Sequence, residues 1–258
     1  MKSKLHCTLL QIPLEWELPE RNRVLIESHL KRVGATDLIL LPEMFTSGFT
    51  MHPERVAEKM NGITLNWMKQ WAQIKKALIG GSIVIEEYGQ FFNRFVMVDH
   101  MGLVAYYDKR HTFTLAGENK AYTNGTTSGL FEYQGWKICM RICYDLRFPV
   151  WSRNTSDYDI LIYVANWPNP RILAWDTLLK ARAIENMSYV IGVNRVGTDE
   201  KGHVYPGHSA AFDALGQSCS EGKVTGMAMH SAILDYQELQ AHRKKLRFLE
   251  DRDNFDLC

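Results

Sequence analysis

The stretch KICMRICYDLRFPVW, residues 137–151, decides more about this chain than any other part of its sequence. Its first half is an apolar strand pattern that ends at Cys143, and its second half predicts a helix starting just beyond that residue. A thiol at such a turn gains from the unpaired N–H groups of the helix, which favour a thiolate and can hold an oxyanion. Because a single cysteine is more often buried and inert, this stretch alone leaves both interpretations open.

Strand and helix patterns alternate outward from this stretch in both directions. Apolar residues at helical spacing predict helices over 20–33, 64–77, 172–188 and 235–248. Short apolar runs predict strands over 5–11, 37–41, 79–87, 91–99, 103–108, 159–165, 189–195 and 227–234, a hairpin over 131–143 that turns at Gln134-Gly135, and a strand with a turn within 208–217. This order predicts an α/β fold with a mixed sheet, or two sheets covered by helices.

The composition is that of an ordinary globular protein. Of 258 residues, 46% are hydrophobic and 23% are charged, and 30 basic residues against 29 acidic ones leave a net charge of +1. Without a basic surplus, we expect no nucleic-acid partner and no anionic membrane. The sequence has no signal-peptide pattern and no long apolar run, so we expect a cytoplasmic protein. We predict one domain over 1–258, with a core of about 4–245 and a C-terminal tail over 246–258.

The cysteines favour neither a disulfide framework nor a metal centre. They are five, an odd number, and show neither a CxxC pair nor metal-ligand spacing: Cys7, Cys139, Cys143, Cys219 and Cys258. Cys7, Cys139 and Cys219 lie within apolar strand patterns, so we expect them to be buried and inert. We therefore predict no metal site.

Two further motifs place charged residues at the ends of predicted strands. Glu43, in LPEMFTSGF (41–49), follows an apolar run, at the kind of crevice where open α/β sheets bind ligands. Lys109, in YDKRH (107–111), is a candidate cation for a developing oxyanion. Each motif alone is equally typical of a solvated loop, and together with Cys143 they indicate a catalytic set.

These frames and CYDLRFP (143–149), in this order, resemble those of the nitrilase superfamily of carbon–nitrogen hydrolases. The likeness runs from about residue 4 to residue 245. Its supporting motifs are NRF (93–95), ARAIEN (181–186), NRVG (194–197) and GHS (207–209). Within the superfamily the chain is most similar to the omega-amidase group, which hydrolyses the terminal amide of 2-oxoglutaramate and similar dicarboxylic monoamides.

The resemblance implies a four-layer αββα sandwich of two mixed β-sheets flanked by helices. It also implies a Glu–Lys–Cys triad, with Glu43 as the base, Lys109 as the oxyanion-stabilising cation and Cys143 as a nucleophile that forms a thioester. Similar enzymes carry a second glutamate, for which Glu118 is the candidate, with a surface carboxylate as the alternative. The backbone N–H of Tyr144 matches the family's oxyanion donor. This chemistry requires neither a metal nor an organic cofactor.

Besides Tyr144, three residues are candidates for substrate binding. In similar enzymes the arginine of CYDLRF contacts a substrate carboxylate, a task that suits the guanidinium fork, so we assign Arg147 to it. Pairing of Arg147 with Asp145 or with another nearby acidic residue is the alternative. Asn166 and Trp167, at the end of the strand over 159–165, are expected to wall the pocket, although Trp167 is equally typical of a core aromatic residue. The expected substrate is a small carboxylated amide that releases ammonia.

Arg141 departs from the family pattern. It lies two residues before Cys143, so its side chain is expected on the same face of the strand, where the family usually has an apolar residue. A buried arginine needs an acid or carbonyl groups as partners. We assign it no catalytic role.

Several functional alternatives stay open at this point. A nitrilase or an N-carbamoyl-amide hydrolase shares the same triad, and a non-catalytic protein of this fold would use Cys143 only as a thiol sensor. The resemblance also implies a homodimer formed through 146–156 and 172–188. Those two segments hold a large supply of apolar side chains for such a contact: Phe148, Val150, Trp151, Leu173 and Trp175.

Overall fold

Two β-sheets stack face to face, and helices cover both outer surfaces of the stack. The structure is a computed structural model that describes residues 2–220 and 225–256. The strands are β1 Lys4–Gln11, β2 Leu38–Leu40, β3 Leu78–Glu87, β4 Gln90–Val98, β5 Leu103–Asp108, β6 Leu130–Tyr133, β7 Trp136–Ile142, β8 Ile160–Ala165, β9 Tyr189–Asn194, β10 Val196–Thr198, β11 Val204–Pro206, β12 Ala210–Phe212 and β13 Ala228–Asp235. The helices are α1 Pro19–Leu30, α2 Ile63–Lys75, α3 Glu118–Ala121, α4 Ile172–Asn186 and α5 Tyr236–Leu246.

Both sheets are mixed. The six-stranded sheet has the order β13-β1-β2-β3-β4-β5, with parallel pairing only at β1–β2 and β2–β3. The five-stranded sheet has the order β12-β9-β8-β7-β6, with β7, β8 and β9 parallel to one another. Two antiparallel steps make β5 run parallel to β3 and β2. The carboxyl ends of β2 and β5 therefore lie at one edge of the stack, where Glu43 and Lys109 follow them.

Three apolar interiors account for the four layers. The central interior lies between the two sheets and includes Leu9, Leu40, Leu78 and Phe95 from one and Ile138, Ile142, Ile162 and Val193 from the other. A second interior joins the outer face of the six-stranded sheet to α1 and α2 through Ile26, Leu30, Met68 and Trp71. A third joins the five-stranded sheet to α4 through Trp175, Leu179 and Ala183. This arrangement confirms the predicted αββα sandwich of two mixed sheets.

Most predicted elements are present, with ends that differ by no more than three residues. The predicted turn at Gln134-Gly135 joins β6 to β7, and both residues have positive φ (52° and 86°), as a two-residue type I′ hairpin requires. The assignment of 1–258 to a single domain stays a prediction. No helix within residues 2–220 and 225–256 is long and apolar enough to cross a membrane.

The predicted helix beyond Cys143 is wrong. A single 3-10 turn, Cys143–Arg147, begins at the cysteine itself and ends before Phe148. Pro149 explains this ending, because a proline drives the residue before it out of the helical region, and Phe148 has φ −113° and ψ 87°. A second difference is the hairpin of β10 and β11, whose strands are too short to give a periodic signal.

Candidate active site

The three residues of the predicted triad lie together, with Glu43 and Lys109 buried and Cys143 partly exposed. Glu43 follows β2, Lys109 follows β5 and Cys143 follows β7, so both sheets contribute to the cluster. The Lys109 Nζ donates to Glu43 Oε1 at 2.9 Å, and both side chains are buried. The alternative prediction, a solvated loop for each motif, is therefore wrong for the side chains of Glu43 and Lys109.

Glu118 completes the surroundings of the lysine. It opens α3 and is fully buried, with Oε1 and Oε2 lying 3.0 and 2.9 Å from Lys109 Nζ. The backbone N–H of Phe113 donates to its Oε2 at 2.5 Å. The alternative of a surface carboxylate is therefore wrong. One buried cation lies between two buried carboxylates, which leaves the cluster an excess of negative charge when both are ionised.

Asn93 joins the two carboxylates and was not among the predicted site residues. Its Nδ2 donates to Glu43 Oε1 at 2.8 Å and lies 3.3 Å from Glu118 Oε1. Its own Oδ1 accepts from the Ser82 hydroxyl at 2.8 Å, which orients the amide group. The sequence did offer a signal, because Asn93 and Arg94 are polar residues within the apolar strand FFNRFVMV. A buried amide within a strand needs a specific partner.

The second oxygen of Glu43 is held from the other sheet. The backbone N–H of Asn166 donates to Glu43 Oε2 at 2.8 Å, and the Asn166 side-chain amide donates to the Glu43 carbonyl at 2.7 Å. Asn166 directly follows β8, so this contact bridges the two sheets at the cluster. Every oxygen of the Glu43 side chain has a donor, and its position is fixed from both sides.

The local electrostatics keep the thiol neutral at rest. Burial raises the pKa of the Cys143 thiol well above its usual range, the charge of Glu43 raises it further, and Lys109 opposes both effects. The thiolate-favouring helix expected after Cys143 is absent, since a short 3-10 turn takes its place. Burial lowers the pKa of Lys109, but the carboxylates of Glu118 and Glu43 outweigh burial, so this pKa lies above the ordinary lysine value.

The pKa of the Glu118 carboxyl group is raised, whereas that of an ordinary carboxyl group paired with a cation is lowered. Burial raises the pKa of its carboxyl group, Lys109 lowers it, and the nearby charge of Glu43 raises it again. The net direction is upward. Thiol, lysine and carboxylates therefore form one coupled set in which proton positions depend on one another.

A cavity of about 310 Å³ opens onto the cluster. Among the residues that line it are Trp16, Phe49, Phe113, Cys143, Tyr144, Arg147, Asn166, Trp167, Arg171, Asp199, Lys201, His203 and Tyr205. Tyr144 thus lies at the cavity wall beside Cys143, and the use of its backbone N–H as an oxyanion donor stays a prediction. Asn166 and Trp167 form part of the wall, as predicted. Trp167 is also a member of the core around α4, so both interpretations of this residue hold.

Arg147 is exposed at this cavity. Its guanidinium carbon lies 5.1 Å from the centre of the Trp167 ring, and no ion pair to another described residue is formed. The alternative pairing with Asp145 is wrong, because that carboxylate accepts instead from Ile142, His111 and Tyr107. The Arg147 charge is therefore available to an anionic group in the cavity.

Further basic side chains at the cavity were missed by the sequence reasoning. Arg171 lies at the start of α4, and Lys201 and His203 lie in the β10–β11 hairpin. Asp199, a carboxylate of the same hairpin, accepts from the backbone N–H of His203 and from the Tyr205 hydroxyl, both at 2.9 Å. No local sequence signal indicated that this hairpin would form a cavity wall.

The two terminal nitrogens of the Arg141 guanidinium are hydrogen-bonded to backbone carbonyl groups and not to the triad. Its Nη1 donates to the Ser128 carbonyl and its Nη2 to the Trp151 carbonyl, each at 2.7 Å. The guanidinium carbon lies 5.3 Å from the centre of the Tyr107 ring and 5.0 Å from that of Trp151. Carbonyl groups and aromatic faces thus stabilise this buried cation.

The remaining cysteines differ from one another in their surroundings. Cys7 and Cys139 are buried, as predicted, and burial raises the pKa of both thiols. Cys219 is only partly buried and lies outside the named strands, so its predicted burial in a strand is wrong. Cys258 lies outside the described residues. Within the described ranges, no group of three or more His, Cys, Asp or Glu side chains is placed to hold a metal ion.

Comparison with known proteins confirms the resemblance predicted from the three motifs. A family model described as carbon-nitrogen hydrolase matches residues 8–244. The omega-amidase YafV of Yersinia enterocolitica is 44% identical over 98% of each chain, and the 2-oxoglutaramate amidase of Bacillus subtilis (strain 168) is 30% identical over 97% of this chain and 98% of its own. The crystal structure of XC1258 from Xanthomonas campestris, a CN-hydrolase superfamily protein with an arsenic adduct in the active site, superposes with a TM-score of 0.95 at 37% identity and covers 100% of both chains.

Proposed function

The chain belongs to the carbon-nitrogen hydrolase family and is an amidohydrolase, and on this premise we propose that its substrate is a small amide with a carboxylate at its other end. Hydrolysis of 2-oxoglutaramate or a close analogue to the acid and ammonia is the proposed reaction. One observation carries this choice: Cys143 and the exposed guanidinium of Arg147, which forms no ion pair within the described residues, line the same cavity, and the buried Glu43 and Lys109 lie behind Cys143. The names of the omega-amidase and 2-oxoglutaramate amidase relatives support it.

In the proposed first half-reaction, the Cys143 sulfur attacks the amide carbonyl carbon while Glu43 takes the thiol proton. The oxygen that becomes negative is stabilised by Lys109 and by the backbone N–H of Tyr144. When the tetrahedral intermediate collapses, the C–N bond breaks and Glu43 passes its proton to the departing nitrogen. Ammonia leaves, and the acyl group stays on Cys143 as a thioester.

In the second half-reaction, water attacks the thioester carbonyl and Glu43 takes the water proton. The C–S bond then breaks, the acid product leaves, and the sulfur regains its proton. The neutral resting thiol fits this scheme, because a thiolate would add negative charge to a cluster that already holds two carboxylates against one ammonium. Proton transfer to Glu43 is therefore proposed to accompany attack and not to precede it.

Glu118 is proposed to act through the lysine and not on the substrate. Both of its oxygens accept from Lys109 Nζ, so the ammonium would stay fixed while Glu43 gains and loses a proton. The contact of Asn93 with both carboxylates supports the same geometry.

Arg147 is proposed to bind the substrate carboxylate, and Trp167 and Asn166 to wall the acyl chain. Arg171 and Lys201 add positive charge to the same cavity, which favours a substrate whose distal end is anionic. A nitrile or an N-carbamoyl acid can use the same triad, so the distal carboxylate and the amide group are the features that need a test.

The test is a substrate panel with ammonia release as the measurement. It compares 2-oxoglutaramate, the monoamide of glutaric acid, the uncharged amide of the same chain length, the corresponding nitrile and an N-carbamoyl acid. We expect the two carboxylated amides to have the highest kcat/KM, and Arg147→Met to remove their advantage over the uncharged amide. Preference for the nitrile or the carbamoyl acid over every amide would overturn the proposal. Modification of Cys143 by oxidant with no hydrolysis of any compound would favour the thiol-sensing alternative.

We also propose a homodimer formed through 146–156 and 172–188. Val150, Leu173 and Ile184 are exposed on these segments, which supports a contact there. Trp175, expected to add to this surface, is fully buried in the core beneath α4 and contributes nothing to it. A stable monomer in sedimentation at micromolar concentration would contradict the dimer.

A cytoplasmic location is the remaining part of the proposal. Cys7, Cys139, Cys143 and Cys219 are all free thiols within the described part of the chain. A reducing compartment suits such thiols and a cysteine nucleophile. Fractionation of the native host that placed the protein outside the cytoplasm would contradict this location.

A further inference from the structure

We infer that Asp145 is a positioning residue that, together with His111, fastens the turn carrying Cys143 to the segment carrying Lys109. We call this pair the Asp145–His111 latch. The inference rests on the proposed function in one respect, namely that Cys143 and Lys109 act on the same carbonyl group. It assigns a task to two residues that the proposed chemistry leaves unused.

Four donors occupy the Asp145 carboxylate, which is fully buried. Its Oδ2 accepts from the Ile142 backbone N–H at 3.0 Å and from the Tyr107 hydroxyl at 2.8 Å. Its Oδ1 accepts from the His111 backbone N–H at 3.0 Å and lies 2.7 Å from His111 Nδ1. Hydrogen bonds to an ionised carboxylate are stronger than neutral ones, so this single group holds its neighbours firmly.

The donors come from two segments that are far apart in the sequence. Ile142 directly precedes the nucleophile on the five-stranded sheet, whereas His111 follows Lys109 by two residues at the end of the six-stranded sheet. One carboxylate therefore sets the distance between the thiol and the ammonium. Cys143 needs such support, because its φ of 44° lies in the left-handed region that costs a non-glycine residue free energy.

Aromatic packing extends the latch to the proposed oxyanion donor. The His111 ring stacks on Phe148, with ring centres 3.7 Å apart and planes within 4°. Phe148 meets the Tyr144 ring edge-on at 5.1 Å, and the other neighbour of Tyr144 is Phe113 at 4.9 Å. The ring of the residue whose N–H is proposed to hold the oxyanion thus packs against Phe148, which is itself held by the His111 ring.

Asp145 acts through other residues and not on the substrate. It is absent from the described residues that line the cavity, and both of its oxygens are occupied by protein donors. A variant that weakens it should therefore alter the reacting geometry and leave substrate binding nearly intact. A displacement of about 1 Å between reacting groups costs on the order of 10²-fold in rate.

The experiment compares Asp145→Asn with the wild type and with Asp159→Asn. An asparagine at position 145 keeps one acceptor oxygen but turns an NH₂ group toward N–H donors, so the latch loses its charge and at least one bond. We expect kcat to fall by roughly 10²-fold with KM changed by less than about threefold. Asp159 is the matched control, since it is also a buried carboxylate that accepts a backbone N–H, from Lys137 at 3.0 Å, but does not line the cavity. Asp159→Asn should lower stability and leave kcat unchanged.

Iodoacetamide labelling, read by mass spectrometry for each cysteine, separates positioning from folding. Weakening the latch should slow alkylation of Cys143 on the order of tenfold, because the thiol loses its alignment with Glu43, while Cys7 and Cys139 stay unlabelled. Unchanged turnover and unchanged Cys143 labelling in folded Asp145→Asn would overturn the inference. If Cys7 and Cys139 also react, the variant has unfolded, and His111→Phe decides instead.

His111→Phe keeps the stack on Phe148 and the backbone donor but loses the ring nitrogen. We expect a smaller fall in kcat than for Asp145→Asn, in the same direction and with slower Cys143 labelling. Wild-type values of both would overturn the inference. If the wild type hydrolyses no carboxylated amide, the proposed function fails, whereas the labelling comparison still tests the latch.

Discussion

Arg94 and Lys109 are both buried cations, and each forms ion pairs with two carboxylates. We expect them to serve different purposes. Arg94 binds Asp108 at 2.7 Å and Glu87 at 2.9 Å, and Lys109, the next residue after Asp108, binds Glu43 and Glu118 at 2.9 Å each. Each cluster has one cation between two carboxylates. We refer to them as the arginine cluster and the lysine cluster.

Access to water separates the two clusters. The Glu87 side chain of the arginine cluster is 37% exposed, so its excess negative charge is solvated, whereas both carboxylates of the lysine cluster are fully buried. In the lysine cluster the excess is buried, and the charge of Glu43 helps to keep the proton on the neighbouring thiol by raising the pKa of Cys143. We therefore expect the arginine cluster to act only as a structural ion pair, and the lysine cluster to accept a proton in the proposed reaction.

The largest expected effect is the loss of the nucleophile beside the lysine cluster. Cys143→Ala should lower turnover by at least about 10⁴-fold, because no thioester can form. The matched control is Cys139→Ala, which removes the buried thiol within β7, the strand that Cys143 directly follows, and should leave kcat within about twofold of wild type. Ammonia release under saturating substrate measures both. Near-wild-type hydrolysis by Cys143→Ala would refute the thioester mechanism.

The next effect compares one carboxylate from each cluster. Glu43→Gln should lower kcat by roughly 10²–10⁴-fold, the usual cost of losing a general base, whereas Glu87→Gln should leave it unchanged. Single-turnover measurements with mass detection of the acylated protein show whether thioester formation is the step that slows. Equal losses in the two variants would mean that solvent access does not distinguish the clusters.

Removal of the cation should lower activity in the lysine cluster and stability in the arginine cluster. Lys109→Ala should lower kcat by about 10²–10³-fold, because an oxyanion-stabilising charge is lost. Arg94→Met should lower the free energy of unfolding by about 3–5 kcal/mol, because a buried carboxylate loses its partner, while the folded fraction keeps its turnover. Urea unfolding and active-site titration of the soluble fraction measure the two quantities. A stable but inactive Arg94→Met would contradict this division.

The sequence pattern selected three residues that the structure places near one another, and it indicated their surroundings less well. Glu43, Lys109 and Cys143 end apolar strand patterns, and such ends are visible in one-dimensional periodicity. Asn93 was missed because it lies within a strand, and its importance comes from two carboxylates brought to it by distant segments. Pro149 ends the 3-10 turn that begins at Cys143, and this proline is visible in the sequence. The prediction of a longer helix gave more weight to the helical pattern than to the proline.

The cavity wall was the least predictable part. Lys201 and His203 reach the cavity only because the β10–β11 hairpin folds over it, and three-residue strands leave no periodic signature. Arg141 shows the same limit, since its partners are backbone carbonyl groups of residues 128 and 151, which no side-chain pattern reveals. Long periodic elements specify the sandwich, and contacts between loops specify the site.

The smallest expected effect is on how stability changes with pH. The Cys143 thiol beside the lysine cluster should contribute to this change between pH 7 and pH 10, and the arginine cluster should not. Burial raises the pKa of Cys143 well above its usual range, so the folded protein keeps a proton that the unfolded chain releases above about pH 8.5. The free energy of unfolding therefore falls as pH rises beyond that value, by up to about 1.4 kcal/mol per pH unit for each such thiol. Below it both states are protonated and this contribution is constant. Urea unfolding from pH 7 to pH 10 should show a shallower decline in Cys143→Ala than in wild type, whereas Arg94→Met should keep the wild-type slope from a lower starting value. Parallel declines in Cys143→Ala and wild type would show that the thiol ionises as readily in the folded protein as in water.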